Sequence, residues 1–317
     1  EGTQIYAETD TTILFVNQLG QVDWQGTATN PIVFNSLANA PGQGPGDDSP
    51  GQWEGIRING DGFGSNSGII RYVRQMHAGF GSDGENALRL DDVGSGTVVE
   101  YVQVYKNDQR AIRLNGGDVG LKYIISTNGA GTGFRMDDGW NGTGQFWVVN
   151  KDIEAGNAIE GRDGDPVLSN ITITGVGFNS PGETPNGGGF RIRDGGNARI
   201  YNAVCTGVDR SLRYSGGSEQ GVANGVSFFR DSASFNNDED GGTGFHSSAA
   251  FFNPTSPDYE QVFNNSVDPF EITDSYVGIS TLNSASAGTL GTFFTDVNYI
   301  GAVEPGNDWT VGWCLNL

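Results

Sequence analysis

The feature that most restricts the fold is a short motif found at seven places along the chain. It consists of an apolar residue, arginine, an apolar residue and a small polar or acidic residue, with glycine close behind. It reads Ile56-Arg57-Ile58-Asn59, Leu88-Arg89-Leu90-Asp91, Ile112-Arg113-Leu114-Asn115, Phe134-Arg135-Met136-Asp137, Phe190-Arg191-Ile192-Arg193 and Leu212-Arg213-Tyr214-Ser215. Ile159-Glu160-Gly161-Arg162 fills the slot between the fourth and fifth with a variant. The central residues are 32, 24, 22, 25, 31 and 22 positions apart. A second run of β-branched and aromatic residues keeps step with the first, at 69–73, 99–102, 121–125, 145–149, 171–174, 199–201 and 226–229.

Two short strands per turn, alternating patterning, and Gly, Asn and Asp between them are strand-and-turn chemistry. No capped helical pattern of ten or more residues competes with it. A propeller blade needs about 40 residues and four strands per repeat, which this period does not supply. The spacing predicts an all-β chain: a parallel β-helix with coils of about 22–25 residues, each stacked about 4.8 Å from the last. The longer steps place protruding loops at 61–67 with 79–85, and at 179–189. Beyond Asp231 the register is lost to the eye. The reading there is 1–230 as coils, and 231–317 as irregular last coils plus a C-terminal cap over an otherwise open strand edge.

The 317 residues include 51 glycines, which suit the corners of such coils, and two cysteines. With 17 basic against 38 acidic residues the net charge is −21, which argues against nucleic acid as a partner, since that is bound mainly through Lys and Arg. No apolar run reaches the roughly 18 residues of a membrane span. Cys205 and Cys314 have no metal or redox spacing, and two readings stand: unpaired small hydrophobes, or a disulfide tying the C-terminus to the body.

Several further stretches resemble secreted bacterial proteins with a right-handed, pectate-lyase-like parallel β-helix. They are Gly26 to Phe34, Trp53 to Gly60, Gly94 to Val104, Asp137 to Gly142 with Gln145 to Val149, Tyr299 to Ala302, and Asp308 to Trp313. The resemblance implies that fold and a secreted or cell-surface location. Members carry an export signal and a first strand ahead of the segment matching Glu1 to Tyr6, so an uncapped first coil and self-association through the solenoid ends are expected. The resemblance carries over no catalytic residues.

The arginine column Arg57, Arg89, Arg113, Arg135, Arg191 and Arg213, with Glu160 in its midst, is the leading candidate site. Flanked by inward apolar residues, these side chains share one outer face. Unpaired guanidiniums ~4.8 Å apart repel by about 1 kcal/mol in water and about 3.5 kcal/mol at an effective dielectric of 20. The next outward column, with Asp91 and Asp137, offers the compensating charge. The two readings are a structural ladder fixing coil register and a groove for an anionic polysaccharide.

Asp137 and Asp138, with Arg162 and Arg193, are the weak candidates for glycan-cleaving chemistry. The layout is similar in part to polygalacturonases, which use clustered acids beside a basic residue. Their Gly-His-Gly is missing, and His77 and His246 lie outside the register. Adjacent strand residues also point to opposite faces, so turn capping is the plainer role for such a pair. Calcium, the one cofactor these acids suit, would use Asp163 and Asp165 in a lyase-type site, or Asp238 and Asp240 in a half-formed EF-type loop. Tyr72, Tyr101, Tyr123 and Trp147 share a register position, as packing or as a sugar platform. Trp53 and Trp140, near turns, are expected to be exposed.

The function expected from the sequence is a non-catalytic structural or adhesive module that assembles end to end. The alternatives are a calcium-dependent lyase or a hydrolase on acidic glycans, or a non-catalytic carbohydrate-binding protein.

Overall fold

In the computed structural model the described residues are 1–81, 86–151, 156–175, 188–208, 210–235, 237, 245–246, 262–264, 276–280 and 284–317. Two parallel sheets wind around one another. The first stacks Gln4–Ala7, Ile32–Ser36, Gly68–Met76, Val98–Tyr105, Leu121–Thr127, Thr143–Asn150, Val167–Thr174, Val204–Thr206, Ala233–Phe235 and Val262–Asn264 in that order, with Val22–Gln25, Arg199–Tyr201 and Phe228–Arg230 extending it. The second stacks Ile13–Val16, Gly55–Asn59, Asn86–Asp91, Arg110–Asn115, Phe134–Asp137, Ile159–Arg162, Gly188–Arg193, Arg210–Tyr214 and Phe245–His246. Among the described residues chain order alternates between the sheets and every ladder is parallel, and the molecule is a right-handed parallel β-helix, as the repeat and the resemblance together lead one to expect.

One strand position bends the first sheet into two halves. Tyr72, Tyr101, Tyr123, Phe146, Asn170, Asn202 and Asp231 all have φ between 49° and 60°. A left-handed residue breaks the in-out alternation, so two neighbours face outward before the next faces in. Val99, Val102, Leu121, Ile124, Ile171, Ile200 and Ala203 line the interior on either side of this corner. The corner overturns one expected register: Ile124 pairs with Trp147, so Phe146 completes the tyrosine column and Trp147 lies inside. Trp147 stacks on Phe134 at 4.2 Å and on Trp140 at 6.3 Å. Trp53 and Trp140, expected at the surface, are also buried, and the Trp53 indole donates to the Met76 carbonyl at 2.8 Å.

A second left-handed corner follows the arginine strands, at Asp92, Gly116, Asp138, Asp163, Asp194 and Gly216. Here the recurring Asp and Gly have a conformational reason, since Asp tolerates this region better than bulkier residues and Gly enters it freely.

The chain differs from expectation at its C-terminal third. Ala233–Phe235 continues on Val204–Thr206, Phe245–His246 on Arg210–Tyr214, and Val262–Asn264 on Ala233–Phe235, so the coils persist past 230 at least to Asn264. Residues 284–317 do not lie across the end of the stack. They lie on the outside of the bent sheet, double back to Asn202 at Gly301, and end beside the N-terminal coils. Ala285 meets Asn202, Thr295 meets Gln145, and Leu315 meets Gln103. Cys205 is a free thiol in the solenoid core, whereas Cys314, also free, packs in the separate apolar cluster beneath this tail. The disulfide reading is therefore not realised.

Candidate functional site: the arginine ladder

The second sheet places the arginines in one continuous row. Phe15, Arg57, Arg89, Arg113, Arg135, Glu160, Arg191, Arg213 and His246 are successive register partners. Asn59, Asp91, Asn115 and Asp137 form the neighbouring row, and Arg162 pairs with Arg193 further along it. The parallel register stacks like on like, which is why a repeated sequence motif becomes a ladder of repeated charge.

Three carboxylates relieve the repulsion. Asp91 accepts from Arg57 Nε and Arg89 Nε, both at 2.7 Å. Asp137 accepts from Arg135 Nε at 2.9 Å and lies 3.1 Å from Arg113 Nε and 3.8 Å from Arg162 Nε. The Arg113 contact is an ion pair without hydrogen-bond alignment, because that Nε has no hydrogen-bond partner. Glu160 Oε1 takes Arg135 at 3.0 Å, Arg162 at 3.2 Å and Arg193 at 2.9 Å, while Asn157 donates to its Oε2 at 2.9 Å. Asp194 at the corner adds a contact to Arg162 at 3.3 Å.

The acids lie low and the arginines lie high. Side-chain exposure is 9% for Asp91, 6% for Asp137 and 4% for Glu160, against 36% for Arg57 and 12% for Arg135. Among the described residues six arginines (57, 89, 113, 135, 162, 193) share four carboxylates (91, 137, 160, 194), so this strip is cationic on a molecule of net charge −21. Arg191 stands in the row between Glu160 and Arg213 with a buried Nε that has no hydrogen-bond partner. Arg110 joins the strip from three residues upstream. Its pKa is lowered, by burial first and then by the guanidiniums of Arg135 and Arg113. Sequence reading missed Arg110, because it falls outside the repeated slot.

The catalytic and metal candidates do not converge. Asp137 is buried in the ladder, whereas Asp138 turns outward at the exposed left-handed corner, so the two form no dyad. Arg162 and Arg193 are both engaged by Glu160 and Asp194. Asp163 lies at the corner in the same row as Asp138 and Asp194, and Asp165 pairs with Arg199 at 3.1 Å. Among the described residues no three His, Cys, Asp or Glu side chains gather into a metal site. Asp238 and Asp240 lie outside the described residues. His77 is buried at a different corner, facing Asp48 at 3.2 Å and Asn35 at 2.9 Å, and burial lowers its pKa.

The tyrosine column is covered. Tyr72, Tyr101, Tyr123 and Phe146 stack at 4.3, 4.4 and 4.8 Å. Trp313 meets Tyr72 edge-on at 5.8 Å and Trp309 meets Tyr123 at 5.2 Å. A sugar platform is therefore not open here while the tail is seated. Burial raises the pKa of Tyr101, Tyr123 and Tyr299. The folded state keeps these protons after an unfolded chain loses them near pH 10, so their stabilisation is complete below about pH 10 and lost above it. The melting midpoint is expected to fall steadily from about pH 10 upward at constant salt. An unchanged midpoint between about pH 9 and 11 would contradict the buried stack.

Searches of curated proteins and of solved structures returned no significant match. The family model described as pectate-lyase like beta helix domain matches residues 58–256, from the first arginine strand past the last. That span is more than half of the sequence, and the chain belongs to the pectate-lyase-like β-helix domain family.

Proposed function

We propose that the chain is a non-catalytic adhesive β-solenoid of the cell surface or extracellular space that holds an acidic polysaccharide along its arginine strip. The observation that carries this reading is the surplus of arginine over carboxylate in one straight row, with the acids underneath and guanidinium edges outward. Arginine presents paired donors to carboxylate or sulfate groups, and a row repeating about every 4.8 Å offers a linear polyanion many weak contacts at once. Asp137 and Glu160, the acids nearest the strip's centre, each already face three guanidiniums. Neither is free to take a substrate proton or to coordinate calcium, which weighs against the lyase and hydrolase readings.

The test is co-sedimentation with insoluble polyuronate, together with ultraviolet absorbance of unsaturated uronates and a reducing-end assay, with and without calcium. Binding that weakens as salt rises, without product, is the expected result. Product formation would make the protein an enzyme, and absence of binding at low salt would leave the ladder with a structural role alone.

A further inference from the structure

The tail on the bent sheet is recognised in an unusual way. Three buried side-chain amides each grip the backbone of one tail residue through both its N–H and its C=O. Gln103 donates to the Leu315 carbonyl at 2.7 Å and accepts from its N–H at 2.9 Å. Gln145 treats Thr295 the same way at 2.7 and 2.8 Å, and Asn202 treats Ala285 so at 3.0 and 2.7 Å. Asn170 donates to the Tyr299 carbonyl at 3.0 Å, Thr172 Oγ1 accepts from the Ala302 N–H at 2.8 Å, and Lys122 donates to the Phe293 carbonyl at 2.5 Å.

These contacts read main chain, so they would seat any segment that presents its backbone in this geometry. Trp309 and Trp313, edge-on to the tyrosines, add a side-chain requirement that residues 284–317 meet. The apolar cluster under the tail, with Ile125, Val148, Val303 and Trp313, is separate from the solenoid core. Lifting the tail would therefore leave the coil interior intact. It would also open the amides of Gln103, Gln145 and Asn202 and the tyrosine column to water, and the burial regained on reseating favours refilling of the track.

We propose that the bent sheet is a backbone-reading track that also accepts residues 284–317 of a second copy, linking solenoids side by side through exchanged tails. Every contact made within one chain can be made identically between two. Residues 276–280 pair with the tail, Val277 with Val303 and Ile279 with Ile300, and so travel with it; Tyr276 lies 12 positions beyond Asn264, a length that spans up to ~40 Å when extended. Exchange competes with self-seating once protein concentration approaches the effective concentration set by that connection. The inference uses a different face from the arginine strip and does not depend on it.

Lys122 Nζ lies 3.1 Å from Thr295 Oγ1, which supplies a pair of positions for trapping the exchange. In a Cys314→Ser background, Lys122→Cys and Thr295→Cys are made in separate full-length chains. The two are mixed at high concentration and treated with a short bis-maleimide. A covalent dimer is expected in the mixture and in neither variant alone. It should grow with protein concentration and disappear when excess synthetic peptide of residues 284–317 is added. The chain carrying both cysteines controls for seating. If it cross-links only within itself and the mixture yields no dimer at any concentration, tails do not exchange. If it fails to cross-link as well, the track does not hold the tail, and the proposal falls on that ground instead.

Discussion

Glu160→Gln is expected to lower stability by roughly 3 kcal/mol, the scale for removing one partner of a buried ion-pair network. The substitution keeps the side chain's shape and deletes its charge. Arg135, Arg162 and Arg193 then share one fewer acid, and one Glu160 oxygen becomes an amide donor facing either a guanidinium or the Asn157 amide. Arg135 and Arg191 flank Glu160 in the row, so the like charges that it separates would meet a neutral spacer only. For a chain of this size the melting midpoint should fall by roughly 4–5 °C. Asp138→Asn is the matched control: it also removes one negative charge, but at an exposed left-handed corner that Asn accepts, and it should change stability by no more than about 0.5 kcal/mol. Equal melting of the two variants would remove the ladder from any account of stability.

The ladder was legible in the sequence because a parallel coil stacks each residue on its counterpart one repeat later. Reading the spacing of Arg57, Arg89, Arg113, Arg135, Glu160, Arg191 and Arg213 was therefore equivalent to reading the hydrogen-bonded register. What escaped was anything carried by backbone conformation or by backbone atoms. Tyr72, Tyr101, Tyr123 and Phe146 adopt a left-handed φ that large side chains seldom take, so period-two alternation ran straight through the corner and misplaced Trp147 by one position. The tail escaped for a related reason. Gln103 and Leu315 are 212 positions apart, and the contact uses the main chain of Leu315, which leaves no mark in the side-chain pattern. The acidic corners fell between these cases: Asp138 was visible as a turn residue and Asp163 as a candidate calcium ligand, while the direction they face followed only from the corner's geometry.

The same one-position shift predicts an ordering of two adjacent substitutions. Trp147→Ala should cost about 3–5 kcal/mol, since it empties a fully buried indole site and leaves a cavity between coils that stack too closely to collapse into it. The lost contacts include the ring stack on Phe134 and the indole donation to the Leu121 carbonyl at 2.9 Å. Phe146→Asn should cost less than half as much. Phe146 lies outside the coil, between Tyr123 and the tail's Tyr299, and its column already continues as Asn170 and Asn202 in the same left-handed conformation. Asn also enters that conformation more readily than Phe, which offsets part of the lost ring contact. Chemical denaturation of both variants measures the ordering, and limited proteolysis separates the mechanisms: Phe146→Asn should loosen residues 284–317 first, whereas Trp147→Ala should weaken the whole stack. Uninterrupted strand alternation would put Phe146 inside and Trp147 outside, and would reverse the order. A larger loss from Phe146→Asn would therefore refute the left-handed corner that brings the tyrosine column and the tail together.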